Sequence, residues 1–324
     1  MNLLADVLGS TILFGVPLLL AALGGMFSER SGVINIALEG VMIIGALFAC
    51  LFLQEADRGG WGVLHPQLTM LAALLVAGGT GVLFSLFLAF AAIHLKADQT
   101  IGGTALNTFA PAFAISLAWV VQGQGQSGIP IPNWIRIGGV TPESGFFHRL
   151  IFKNCYLTTP VALTLLAISI VLLYKTRFGL RLMACGEHPQ AADAVGVSVY
   201  RMRYAGVMLS GFLAGIGGLA FTVAAGAGFE ATVAGYGFLA LAVMIFGNWN
   251  PVRILGAALF FAFFKVIGSY AASIPFLPHF SGLNSGGSIY QMLPYVVTML
   301  VLVFTSQKSR APKAEGIPYD KGLR

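Results

Sequence analysis

From residue 9 onward the chain is a succession of apolar runs, most of them long enough to cross about 30 Å of hydrocarbon at about 1.5 Å per residue. They fall near 9–27, 33–53, 67–95, 100–121, 157–174, 204–224, 233–248, 252–270 and 289–305. The third contains Gly78-Gly79-Thr80-Gly81, which predicts a tilted or broken helix, and the seventh is short. Of 324 residues, 57% are hydrophobic and 9% charged, against about 25% charged in a soluble domain. So few charges cannot cover a water-facing surface. In lipid, backbone groups must be satisfied within the protein, which leaves helices or a closed barrel. Runs of about 18 or more apolar residues lack the alternation of barrel strands. The predicted class is an all-α integral membrane protein, a polytopic helical bundle of about nine spans within a range of eight to ten. Met1-Asn2-Leu3-Leu4-Ala5-Asp6 has no basic start and no small-residue cleavage site follows, so the first run reads as a retained span.

The net charge of +6 matters through its placement. Thirteen basic residues fall on one side of these spans: Arg30, Lys96, Lys175, Arg177, Arg181, Arg201, Arg203, Arg253, Lys308, Arg310, Lys313, Lys321 and Arg324. Four fall on the other: Arg58, Arg136, Arg149 and Lys153. That bias puts the richer side, and the C-terminus, in the cytoplasm, and gives no reason to expect a nucleic-acid partner. Nine spans then put the N-terminus outside. The three cysteines, Cys50, Cys155 and Cys185, fall in different compartments, so neither a disulfide nor a metal site is expected.

The organisation is a single transmembrane domain, 1–305, followed by a cytoplasmic tail, 306–324. An outer loop, 122–156, is rich in glycine and proline, with Trp134, Phe146 and Phe147 placed to anchor it at the headgroups. An inner loop, 175–203, carries Pro189 at the start of a short helix that Gly196 ends, and Ser198 as N-cap of the next span. The apolar face of that short helix has the bilayer surface or a partner to cover it. Val41-Met42-Ile43-Ile44-Gly45 is echoed by Val243-Met244-Ile245-Phe246-Gly247 in oppositely oriented spans, the arrangement of an inverted repeat with broken helices.

Polar groups inside spans are costly, about 2.5–3.5 kcal/mol for a central charge on insertion scales, and mark candidate sites. Asn35 and Glu39 share a helix face, either on a substrate path or binding neighbouring helix ends. Asn107 and Thr108, followed by Pro111, predict a kinked helix with polar groups facing the bundle, lining a path or joining helices. Lys265 lies about 18 Å along a helix from Arg253. It either snorkels to the outer headgroups or meets a carboxylate or cavity. Gly206, Ser210, Ala214 and Gly218 recur every fourth residue, a packing stripe. His65, His94, His148, His188 and His279 lie in loops or at span ends. No Gly-x-Ser-x-Gly, His-Glu-x-x-His or P-loop pattern is present, so a transporter of this kind draws its energy from an ion gradient or another chain.

Three stretches carry a family resemblance: Glu29-Arg30-Ser31-Gly32-Val33-Ile34-Asn35-Ile36-Ala37-Leu38-Glu39-Gly40, residues 235–251, and Thr176-Arg177-Phe178-Gly179-Leu180-Arg181-Leu182-Met183-Ala184-Cys185-Gly186-Glu187-His188-Pro189. With them, nearly the whole chain resembles the permease subunits of bacterial ABC importers for branched-chain amino acids, ribose-type sugars and nucleosides. The smaller permease of the nucleoside branch is the nearest likeness, although Cys185 replaces the usual small aliphatic residue. The resemblance implies alternating access in the bacterial cytoplasmic membrane, powered by a separate cytoplasmic ATPase that holds ATP and Mg, with no cofactor on this chain. It implies a second permease in a heterodimer, an extracytoplasmic substrate-binding (lipo)protein, and a lipid surround. It makes residues 187–196 a coupling helix, with Arg181, Glu187, His188, Pro189, Gln190, Asp193 and Gly196 as contact candidates. The candidate path residues would then be Asn35, Glu39, Asn107 and Thr108, and Lys265 stays unassigned. Branched-chain amino acids or sugars remain alternative cargoes. A secondary transporter titrating Glu39 and Lys265, an intramembrane enzyme, and a scaffold are the readings from other classes.

Overall fold

The computed structural model describes residues 2–137, 145–146, 155–270, 292, 296–297, 299–300, 303 and 310–322. The run at 289–305 therefore lies mostly outside the described residues, as do Phe147, His148, Arg149, Lys153, His279, Lys308 and Arg324. The described chain forms helices α1 (Asn2–Arg30), α2 (Leu38–Arg58), α3 (Trp61–Leu64), α4 (Pro66–Ile93), α5 (Gln99–Gln122), α6 (Thr158–Lys175), α7 (Arg177–Glu187), α8 (Pro189–Ala194), α9 (Val199–Ala225), α10 (Tyr236–Phe246) and α11 (Pro251–Tyr270). Among them, α1, α2, α4, α5, α6, α9 and α11 are long and apolar enough to cross a membrane, and α10 is an apolar helix of about half that length. The protein is a polytopic helical bundle.

Helix α9 is the central post, and its small residues let three neighbours approach to backbone contact. A Cβ placed on Gly24 of α1 would lie 2.8 Å from the Ser210 carbonyl oxygen. One on Gly45 of α2 would lie 2.5 Å from the Gly215 Cα, and one on Gly81 of α4 would lie 2.2 Å from the Gly211 carbonyl oxygen. Without a hydrophobic driving force between helices in lipid, such close packing supplies the attraction. The glycines at 78–81 therefore do not break α4, which runs unbroken from Pro66 to Ile93. They admit α9 instead, with Gly78 facing the Phe212 ring. Pro111 likewise sits inside a continuous α5.

The real interruptions lie elsewhere. α1 ends at Arg30, residues 31–37 are non-helical, and α2 starts at Leu38, five residues later than the apolar run suggested. A second irregular stretch, 226–235, precedes the short α10 and contains Ala231, Ala234 and Gly235 at positive φ. The two echoing pentapeptides sit on α2 and α10, whose first turns abut: a Cβ on Gly237 would meet the Glu39 backbone nitrogen at 2.3 Å.

At the end of the bundle holding Arg58, the outer loop is tied down by an antiparallel bridge between Ile129 and Phe229, with N···O distances of 3.0 and 2.9 Å. The Trp134 indole donates to Asp57 at 2.6 Å and its ring covers Gly62, so it clasps the loop to α2 and α3. At the opposite, basic end, residues 310–322 fold back over the bundle. Ala314 N–H donates to the Gly186 carbonyl at 2.8 Å, and Gly316 N–H to the Gly32 carbonyl at 3.2 Å. The buried Arg203 donates to the Ile317 carbonyl at 2.9 Å, and Lys96 pairs with Asp320.

Gly218→Ala would place a Cβ 1.9 Å from the Met42 carbonyl oxygen, whereas a Cβ at Gly79 meets nothing within 4 Å. Overpacking of this kind costs about 1–3 kcal/mol or more. Gly218→Ala is expected to lower the thermal midpoint of the solubilised protein by several degrees, and Gly79→Ala to leave it unchanged or slightly raised.

Candidate functional site

The interruption at 31–37 strips helix ends of their partners, and most of it is buried inside the protein, away from water. The chain replaces them one by one. Ser28 Oγ donates to the Val33 carbonyl at 2.7 Å, and Ile34 N–H donates to Gln99 Oε1 at 2.7 Å. Asn107 serves both sides of the break, its amide donating to the Ile36 carbonyl at 2.8 Å and its oxygen accepting from Gly40 N–H at 2.8 Å. Asn35, fully buried, donates to Ser210 Oγ at 2.8 Å. Its Oδ1 has no partner among the described residues.

Glu39 closes the second break. Its carboxyl oxygens accept from Gly235 N–H at 2.9 Å and Gly237 N–H at 2.7 Å, capping α10 from the first turn of α2. Two helix N-termini thus converge on one carboxyl group, and their dipoles favour its negative charge. Lys265 Nζ lies over the Tyr236 ring at 4.7 Å, with Glu39 as its electrostatic partner, so it reaches into the junction instead of snorkelling outward. Thr108 is the candidate that stands apart. It is exposed on α5, and its hydroxyl bonds back to the Thr104 carbonyl at 3.0 Å. Its neighbour Phe109, also exposed, stacks on Phe84 and Phe113.

The far end of α10 is pinned as firmly as its start. The Trp249 indole donates to the buried Glu29 at 2.6 Å, and Arg30 donates to the Trp249 carbonyl at 3.1 Å. The stretches 28–40 and 235–251 are therefore two halves of one clamp, closed at both ends. Glu29 and Trp249 were legible within those stretches but not as a pair. Gln99 and Arg203 gave no signal beyond being polar near span ends.

The inner loop folds as two helices, not one. Thr176 caps α7, its oxygen accepting from Gly179 N–H at 3.2 Å, and Pro189 opens α8. Gly196, at φ +84, ends the turn. Ser198 occupies the N-cap position of α9 but makes no capping hydrogen bond from its side chain. The apolar face of α8 is covered by the chain itself: Ala192 packs with Cys185, Val199 and Tyr319 of the folded-back tail. Arg181, His188, Gln190 and Gly196 face outward, while Glu187 and Asp193 are half-buried. Burial pushes the Cys185 thiol up to about 11, against the opposing charge of Arg203. Burial also holds the Glu315 carboxyl above its ordinary value, opposed by a side-chain hydrogen bond with Glu29.

The family described as the branched-chain amino acid transport system permease component matches residues 7–305. The chain belongs to that family. The guanosine ABC transporter permease protein NupQ of Bacillus subtilis (strain 168) is 42% identical to this permease over 334 residues, covering 100% of the chain and 99% of the relative. The nucleoside ABC transporter permease protein NupC of Lactococcus lactis subsp. cremoris is 38% identical over 324 residues, covering 99% and 98%. NupB of the same Lactococcus strain is 25% identical over 271 residues, covering 80% and 71%. No solved structure matches. The permease is accordingly a membrane transport subunit of an ABC system and not itself an enzyme.

Glu39→Ala strands the Gly235 and Gly237 amides, each costing about 1–3 kcal/mol when buried without a partner. It is expected to lower thermal stability well below that of Glu39→Gln, which keeps an acceptor. Equal midpoints for the two variants would contradict the capping role.

Tail docking gives a second expectation. Because the docked Glu315 carboxyl binds its proton more tightly than a free one, docking is strongest below the ordinary carboxyl value of about 4.3. It weakens as pH rises through the raised value. Alkylation of Cys185 in a Cys155→Ser background reports this, speeding up with pH beyond the intrinsic thiolate increase. Glu315→Gln is expected to flatten that excess, and Tyr319→Ala to accelerate labelling roughly ten-fold or more at all pH values.

Proposed function

We propose that this permease forms half of the translocation pathway of an ATP-driven nucleoside importer in the bacterial cytoplasmic membrane, with its C-terminus on the cytoplasmic side. The observation that carries the reading is likeness to a guanosine and a nucleoside permease over essentially the full length of all three chains. A separate ATPase holding ATP and Mg supplies the energy, an extracytoplasmic binding protein delivers the cargo, and a second permease completes the path. The presence of NupB and NupC in one Lactococcus strain supports a heterodimer.

Helix α5 supplies this chain's share of the path. Only 17% of its apolar window is buried inside the chain. Its open face sets the hydroxyls of Thr104, Thr108 and Ser116, each already bonded to the helix backbone, beside the Phe109 and Phe113 rings. Self-satisfied hydroxyls and aromatic faces suit a sugar and a base passing through without being held tightly. Asn35, Glu39 and Asn107 act behind that face as the frame that holds α2 and α10 in place.

The coupling surface is the outward side of α7 and α8, with Arg181, His188, Gln190 and Gly196 meeting the ATPase, and Glu187, Pro189 and Asp193 setting the angle of the turn. Because Ala192 and Tyr319 lock α8 to α9, displacement of α8 passes directly into the central post.

Uptake of radiolabelled guanosine, uridine, leucine and ribose, in cells with and without this chain and with its partner subunits present, tests the reading. Loss of nucleoside uptake alone is expected; loss of leucine or ribose uptake with nucleosides unaffected would overturn the cargo. Asp193→Lys is expected to cut nucleoside uptake roughly ten-fold or more while the complex stays in the membrane. Normal uptake by that variant would remove the coupling role of α8.

A further inference from the structure

Four cationic side chains that take no part in the path or the coupling face converge at the basic end. Arg30 comes from the end of α1, Arg253 from the first turn of α11, and Arg310 and Lys313 from the folded-back tail. They line a single cavity of about 490 Å³, far more than the roughly 30 Å³ share of one water molecule. Glu187 is the one carboxylate in its wall. None of the four cations forms an ion pair among the described residues. Arg30 spends one nitrogen on the Trp249 carbonyl, and its buried Nε has no partner. Glu29 and Glu315, on two of the same elements, are occupied with Trp249 and with each other.

The elbow beside the cavity has an unusual backbone. Asn248 and Trp249 are consecutive non-glycine residues at φ +51 and +50 in the elbow between α10 and α11. Such conformations persist only where the surroundings impose them. The elbow turns Asn248 so that its Oδ1 accepts from Arg310 N–H at 2.9 Å, which fixes the tail's approach. It also sets Asn250 to cap α11, accepting from Val252 N–H at 3.1 Å and Arg253 N–H at 3.4 Å. The positive end of α11 therefore opens onto the same space.

We infer that this cavity binds a phosphate oxyanion, with Arg30, Arg253 and Arg310 as its guanidinium donors and Lys313 as a mobile counter-charge. Guanidinium groups match phosphate oxygens two at a time, and four cations facing a single carboxylate leave a positive excess that favours an anion. The cavity lies where α1 ends and α11 begins, the level of the lipid headgroups, and basic pockets between helices on that side suit anionic headgroups. The same chemistry accommodates free phosphate, and the test separates the two. The inference rests on the cavity alone and is independent of the cargo.

The full chain is placed in nanodiscs of phosphatidylcholine, with and without phosphatidylglycerol, and its thermal midpoint is followed at fixed ionic strength, with and without added inorganic phosphate. The double variant Arg253→Gln/Arg310→Gln changes two exposed cavity residues, and Arg201→Gln, exposed at the same end but outside the cavity, is the control. Stabilisation of the wild type by phosphatidylglycerol, weakened roughly ten-fold or more in apparent affinity by the double variant and untouched by Arg201→Gln, establishes a lipid headgroup site. The same pattern with inorganic phosphate in phosphatidylcholine alone establishes a soluble-anion site. No response of the wild type to either probe, an unchanged response in the double variant, or an equal loss in Arg201→Gln overturns the proposal.

Discussion

A bilayer offers no water to a bare N–H or C=O, so every break in a membrane helix has to be closed by another part of the chain. Two such breaks, 31–37 and 226–235, organise this permease. The first is closed by Gln99 and Asn107 from α5, and the second by Glu39 from α2. Because each closing group sits on a different helix from the break it serves, α1, α2, α5 and α10 cannot move independently without breaking one of these hydrogen bonds. The polar residues that look expensive inside the spans are what make the irregular backbone tolerable, and irregular backbone is what lets the starts of α2 and the short α10 meet.

The permease is not uniformly rigid. α1 and α9 are mostly buried inside the chain, while α5 and α6 present most of their surface outward. The core of the bundle is thus a block built on glycine contacts, and its exposed flanks are where further chains and cargo have room to act. The inner loop bridges the two regimes, buried on one side by Cys185 and Tyr319 and open on the other at Gln190 and Val195.

Much of this was readable before any coordinates. Composition and run length set the class, and the stretches 28–40 and 235–251 stood out because polar groups interrupt apolar runs. What a linear reading could not supply was pairing. Glu39 was legible as a residue on a path or one binding a neighbouring helix end, but the sequence did not say which end: its partners are Gly235 and Gly237, nearly two hundred positions on. The glycines at 78–81 looked like a break because a break and a close approach demand the same residue; only the neighbour, α9, tells them apart. Ser198 had the right chemistry for a cap, but its side-chain geometry does not deliver one. The tail at 310–322 carries no apolar periodicity, since it is held by hydrogen bonds, ion pairs and one tyrosine rather than by a hydrophobic face.

The tail is also the part of the described chain that leaves the ribosome last. Until it is made, Gly32 and Gly186 carbonyls lack the amides of Gly316 and Ala314, and the guanidinium of Arg203 lacks the Ile317 carbonyl that receives it. The bundle can therefore insert and pack helix by helix, but its basic face stays unfinished until residues 310–322 are made. A chain cut short by a late stop codon or clipped near residue 310 would display open carbonyls and an uncapped arginine on the membrane surface.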